Sequence, residues 1–181
     1  MLSESAFRVA SALNATHVRW VVFGSTAGVF YGLTRQPRDL DILALGSPQL
    51  DQVTAALPRN ELGGWVGDGF EIYQDCLTVS TPLGAAAFSF DEAMSLHIEH
   101  RPLGKLVLPI LGLEDWLALK LLLHREEDDK SDVEDVGVVL SASIGLVRLG
   151  LLKRRLAMTC QSIKSSSFDS PSRRYKQGDR S

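Results

Sequence analysis

Two aspartates one residue apart, Asp39 and Asp41, stand in the run Asp39-Leu40-Asp41-Ile42-Leu43-Ala44, thirteen residues after the dipeptide Gly24-Ser25. On a strand, positions two apart leave the same face, ~6.6–7 Å apart along it. Two carboxylates that close disfavour each other's ionisation unless a cation sits between them. Mg²⁺ suits such a pair, because it takes oxygen ligands and shares its shell between one or two carboxylates and substrate phosphates. Ions held this way can position an attacking oxygen and neutralise charge on a transferring phosphoryl group. Gly24-Ser25 follows the apolar run Val21-Val22-Phe23. At a strand-to-helix junction it offers free backbone N–H groups and a hydroxyl, a seat for phosphate. The plainer readings are an exposed strand face carrying two acids and a Gly-Ser turn with Ser as helix cap. Apolar neighbours around Asp39 and Asp41, with Arg35 and Arg38 just before them, favour the metal reading.

The surrounding pattern specifies the supports. Residues 4–14 read as an amphipathic helix with Phe7, Ala10, Ser11 and Leu13 on one side. Residues 18–23 read as a buried strand, 26–33 as a helix capped by Ser25, and 39–45 as a second strand. Ser47-Pro48 starts a helix that ends before Pro58. Gly63-Gly64 and Gly67-Asp68-Gly69 mark turns; residues 70–74 and 76–81 suggest a hairpin around Gln74-Asp75. A helix over 91–100 capped by Asp91, a strand from Lys105 to Leu111, and helices over Leu113–Arg125, Asp132–Ser141 and 145–161 complete the order. The expected fold is α/β (α+β), a mixed sheet flanked by helices with a C-terminal helical layer.

The residues Phe23-Gly24-Ser25 and Asp39-Leu40-Asp41-Ile42 together resemble the nucleotidyltransferase superfamily, the DNA polymerase beta-like fold. The segment Thr34-Arg35-Gln36-Pro37-Arg38-Asp39-Leu40-Asp41 is most similar to small stand-alone members related to abortive-infection toxins. A second stretch extends the resemblance: an apolar helix with a single Lys, Leu113 to Leu121 with Lys120, followed by Lys130-Ser131-Asp132-Val133-Glu134-Asp135. The resemblance implies a small Mg²⁺-dependent nucleotidyltransferase. It would move a nucleoside monophosphate from a nucleoside triphosphate to an acceptor: a protein hydroxyl, a tRNA end or a small molecule. A cognate antitoxin or helical partner protein is implied as well. Asp39 and Asp41 would bind metal, Gly24 and Ser25 the β- and γ-phosphates.

The family's third acid would fall where Thr78 stands. In the expected hairpin Glu71 lies opposite Thr78 on the same face and could supply the missing carboxylate. The alternative is that the acid is lost, leaving a degenerate module that holds a nucleotide or a partner without turnover. Lys120 has two readings, contact with the triphosphate or a structural ion pair with Asp132 or Asp135, since a buried Lys needs a partner. Arg35 and Arg38 are phosphate ligands or solvated loop charges. His97 and His100 read as surface residues.

At 181 residues the chain can bury a substantial core. The sequence divides into an expected catalytic-type domain over 1–142, a helix over 143–164 and a basic, disordered tail over 165–181. Residues 151–181 carry eight of the 19 Lys and Arg and two of the 22 Asp and Glu, so the body is acidic. An acidic body is a poor platform for long nucleic acid, leaving a tRNA acceptor as the exception. Cys76 and Cys160 form no paired motif, Met1-Leu2-Ser3-Glu4-Ser5 has no signal-peptide pattern, and no apolar run spans a membrane. A cytoplasmic setting is expected.

Overall fold

The computed structural model describes residues 2–81, 84–123, 126–127 and 130–166. Its centre is a six-stranded sheet in the order β3-β4-β2-β1-β8-β7. The strands are β1 (Trp20–Val22), β2 (Leu40–Ala44), β3 (Trp65–Gly67), β4 (Phe70–Gln74), β7 (Glu99–Leu103) and β8 (Leu106–Ile110). β2 runs antiparallel to β1 and parallel to β4, while β8 runs parallel to β1. A separate pair, β5 (Cys76–Thr81) and β6 (Gly84–Ser89), is antiparallel. Two-residue strands β9 (Glu126–Glu127) and β10 (Lys130–Ser131) pair before the C-terminal helices. The fold class is the expected mixed sheet flanked by helices.

Helix α1 (Glu4–Ala15) is capped by Ser3, whose hydroxyl accepts from the Ala6 amide at 3.0 Å. Its buried stripe is Ala6, Val9, Ala10 and Leu13, while Phe7 is exposed. The helix is thus turned from the expected Phe7 face. Two alanines at i and i+4 let its backbone lie close, which the larger Phe7 would prevent.

Three further expectations are corrected. Residues 70–74 and 76–81 do not pair as a hairpin: β2 and β3 occupy both edges of β4, and β5 pairs β6 instead. Asp75, at φ +61°, makes the corner, its amide donating to the Ala44 carbonyl and its Oδ1 accepting from the Gly46 amide. The Gly-rich stretch is also more than turns, since Trp65–Gly67 closes onto β4. Finally, the helix over 91–100 is only α4 (Glu92–Ser95), capped by Asp91; from Glu99 the chain pairs with β8. The tail beyond Ser166 lies outside the described residues.

Helix α5 (Leu113–Leu123) is buried on nearly every side, including Glu114, Asp115 and Lys120. A helix sunk this deeply needs counter-charges for its ionised groups. The two helices after it supply them. From α6 (Asp132–Ser143), Asp132 and Asp135 accept from Lys120. Arg155 of α7 (Leu149–Ser166) pairs with Asp115 and with the cap Asp91, and Arg148, just before α7, grips Glu114 with two guanidinium nitrogens at 2.9 Å. Charge pairing and apolar packing together set α5 against the end of the sheet where β1 and β2 carry the candidate site.

Candidate active site

The short helix α2 (Gly24–Val29) begins directly after β1. Ser25 is not its cap. The cap position falls on Phe23, without a side-chain bond, and the Ser25 hydroxyl instead accepts from Arg35 at 3.3 Å. Gly24 has φ +63°, a left-handed conformation that disfavours a side chain. Space excludes one as well: a Cβ there would stand 1.8 Å from Asp41 Oδ2 and 2.7 Å from its Cγ. The loop and the second aspartate are in direct contact.

Three hydrogen bonds fix that contact. The Phe23 amide donates to the Asp41 carbonyl at 2.9 Å, the Thr26 hydroxyl donates to the Asp39 carbonyl at 3.0 Å, and the Trp116 indole N–H donates to the Gly24 carbonyl at 2.8 Å. Trp116 is fully buried, so α5 serves as the floor under the loop. Gly28 is part of the same fit, because a Cβ there would meet the Trp116 ring at 2.8 Å.

Asp39 is exposed just before β2, and Asp41, two positions on within the strand, is half-buried. Parallel pairing sets Asp41 in register with Glu71 on β4. Glu71 therefore reaches the site, by a route different from the expected hairpin: it is a sheet neighbour of Asp41, and Thr78 comes to the same cavity on β5, paired with Ala87. The cavity holds about 590 Å³ and is lined by Gly24, Ser25, Arg35, Arg38, Asp39, Asp41, Glu71 and Lys120, among others.

Lys120 is buried, its Nζ 2.6 Å from Asp132 Oδ1 and 2.8 Å from Asp135 Oδ2. Arg35 reaches the same Asp135 oxygen at 2.6 Å. The structural ion pair is formed, and Lys120 also lines the cavity. Arg38 is exposed at the rim. His97 is half-buried rather than a free surface residue, and its Nδ1 is enclosed.

Two side chains at the site escaped the sequence reading. Tyr73, two positions after Glu71 on the same strand face, donates its hydroxyl to Glu71 Oε2. Burial, and then this bond, pushes the Tyr73 phenol up to about 12, so it keeps its proton at neutral pH. Asn60 in turn donates from Nδ2 to the Tyr73 oxygen at 3.2 Å. The period-two alternation of β4 places Tyr73 beside Glu71 and was a usable signal; Asn60 had none.

The donors are all oxygens, half-buried or exposed, against a glycine that admits a carboxylate at contact distance. Asp39 and Asp41 therefore fit Mg²⁺, which needs no more than two carboxylates when phosphate oxygens complete its shell. Among the described residues no three His, Cys, Asp or Glu side chains stand together closely enough to hold one ion.

No protein-family model and no curated protein matches the chain. Solved structures do. The antibiotic-resistance factor ANT(2'')-Ia superposes with a TM-score of 0.57 at 11% identity, covering 91% of this chain and 94% of that one. A candidate nucleotidyltransferase from Thermotoga maritima (TM-score 0.46, 18% identity, 67% and 86% covered) and an antigenic nucleotidyltransferase-like protein from Paracoccidioides brasiliensis (0.42, 15%, 92% and 93%) are weaker likenesses. The chain has a nucleotidyltransferase fold. At this identity the likeness is one of fold.

Proposed function

We propose that this protein is a Mg²⁺-dependent nucleotidyltransferase that moves a nucleoside monophosphate from a nucleoside triphosphate to an acceptor hydroxyl. The contact between Gly24 and Asp41 carries the proposal: a phosphate-seat loop and a metal-ligand strand are built against each other, leaving no room for one methyl group. The Gly24 and Ser25 amides and the Ser25 hydroxyl face the β- and γ-phosphates, and Arg35, Arg38 and Lys120 supply positive charge along the same wall. Asp39 and Asp41 would hold Mg²⁺, which when bound would supply positive charge against the triphosphate.

The reaction is an in-line displacement, in which positioning and electrostatics do most of the work. The acceptor oxygen forms its bond to the α-phosphorus as the bond from that phosphorus to the α–β bridging oxygen breaks. Pyrophosphate leaves with the electron pair. Glu71, in register with Asp41, takes the acceptor's proton. The acceptor is a protein hydroxyl, a tRNA end or a small molecule, and a cognate antitoxin-like partner belongs to the same proposal. Among the described residues no helix is long and apolar enough to cross a membrane.

A second reading rests on one observation. Without a three-carboxylate cluster among the described residues, the cleft can hold a nucleotide without transferring it. Incubation with each α-labelled nucleoside triphosphate, Mg²⁺ and cell lysate separates the two. Label transfer that disappears in Asp39→Asn and Asp41→Asn establishes the enzyme; nucleotide binding with no transfer under any condition establishes the holding module.

A further inference from the structure

Glu71 does not stand alone in the cavity wall. Its Oε2 accepts from the Tyr73 hydroxyl, and that hydroxyl accepts from Asn60 Nδ2 at 3.2 Å. The direction of this chain is fixed at its far end. Asn60 Oδ1 accepts from the backbone amides of Leu62 at 3.1 Å and Gly64 at 2.9 Å, inside a turn that Gly63 closes by donating its amide to the Asn60 carbonyl. The amide oxygen is committed to two N–H groups, so the group facing Tyr73 is the NH₂, which can only donate. A phenol that receives that bond has one proton left to give, and it gives it to Glu71.

The tyrosine has little freedom to do otherwise. Its ring is buried, 6.1 Å centroid to centroid from Phe23, the residue that leads into Gly24. Asn60, Tyr73 and Glu71 therefore form a directed chain running from the 60–64 turn into the cavity.

We infer that Tyr73 and Asn60 are positioning residues for Glu71, holding one carboxylate oxygen so that the other is presented to the acceptor hydroxyl. The inference rests on the reading of Glu71 as the group that takes the acceptor's proton. Tyr73 borders the cavity with its hydroxyl turned onto Glu71, and Asn60 lies behind it, so their removal is expected to act on turnover more than on nucleotide affinity.

Three variants test this. Tyr73→Phe keeps the ring and removes the donor. Asn60→Asp keeps an oxygen for the Leu62 and Gly64 amides but replaces the NH₂ with a second acceptor that competes with Glu71 for the tyrosine proton. The third variant combines both. Each single change lowers kcat about tenfold or more, as expected for a lost hydrogen bond to a charged group. The KM for the nucleoside triphosphate stays within about twofold, and the double variant is no slower than Tyr73→Phe, because residues of one network are not additive. A Tyr73→Phe enzyme with unchanged kcat, a parallel rise in nucleotide KM, or additive losses in the double variant overturns the inference. If the wild-type protein transfers no nucleotide, the functional proposal fails separately. Crystal structures of wild type and Tyr73→Phe then decide the inference: a Glu71 carboxylate that leaves its position in Tyr73→Phe supports it, and one that stays overturns it.

Discussion

Replacing Gly24 with alanine strikes the join on which the proposed site depends. The new Cβ would sit 1.8 Å from Asp41 Oδ2, at a backbone φ of +63°. Ordinary non-bonded contact is ~3.5 Å, so the carboxylate would have to retreat by roughly 1.7 Å. The backbone offers no relief, since the Phe23 amide and the Trp116 indole hold the loop from both sides. Left-handed geometry costs an L-residue about 1–2 kcal/mol, and each kcal/mol lowers Tm by about 2–4 °C in a chain of this size. The catalytic penalty is larger: a misplacement of about 1 Å in a reacting constellation costs roughly 10²-fold. Gly24→Ala is therefore expected to remain folded, melt several degrees lower, and transfer label about 100-fold more slowly. Circular dichroism melting and single-turnover transfer with α-labelled nucleotide read the two effects separately. A folded Gly24→Ala protein whose transfer rate stays within about threefold of wild type would show that the Gly24–Asp41 contact is not needed for transfer.

Asp41→Asn is expected to cut transfer by on the order of 10²–10³-fold and to remove the dependence of nucleotide affinity on Mg²⁺ concentration, read by titration calorimetry. Arg155→Met strips the buried Asp115 of its guanidinium and should cost about 3–5 kcal/mol in urea denaturation; a loss below about 1 kcal/mol would remove this pair from the supports of α7. Trp116→Phe deletes the indole donor to the Gly24 carbonyl; the loss of a bond of about 1 kcal/mol should lower Tm by about 2–4 °C, checked by thermal denaturation. Acid should loosen the α7 attachment. Burial works to raise Glu114 and Asp91, but hydrogen bonds from Arg148 and Arg155, with backbone amides, hold both below the ordinary carboxylate range. Groups depressed in the folded state stabilise it above their unfolded value, near 4, and that contribution is lost as pH falls through the folded value. Melting temperature should therefore drop on acidification through the carboxylate range, with a shallower drop in Glu114→Gln; equal slopes in the two proteins would contradict the assignment.

Much of the site was legible because it is local. Gly24-Ser25 and Asp39-x-Asp41 declare themselves by residue type, spacing and apolar flanks, and β1, β2 and α5 follow from simple runs. What the sequence hid was pairing. Glu71 was expected beside Thr78 across a hairpin, yet β4 lies between β2 and β3, so Glu71 reaches the cavity as the neighbour of Asp41. A two-residue turn is a local signal, whereas occupancy of both strand edges is a property of the whole sheet. The same limit applies to Ser25: its type suits a cap, but the bend at Gly24 moves the cap to Phe23. The charges on α5 were ambiguous for another reason. Asp115 and Glu114 look like ordinary first-turn acids until Arg155 and Arg148, 40 and 34 positions away, are seen to meet them. Tyr73 and Asn60 act through a chain of hydrogen bonds whose direction only the folded turn determines.

In the proposed function, one cleft seats a triphosphate on Gly24-Ser25 and a metal on Asp39 and Asp41. A crystal structure with Mg²⁺ and a nucleoside triphosphate analogue that resists cleavage between its α- and β-phosphates tests it most directly. The β- and γ-phosphates are expected against the Gly24 and Ser25 amides, with both aspartates within coordinating distance of the ion. A nucleotide bound elsewhere, or seated with neither carboxylate within coordinating distance of the ion, would contradict it.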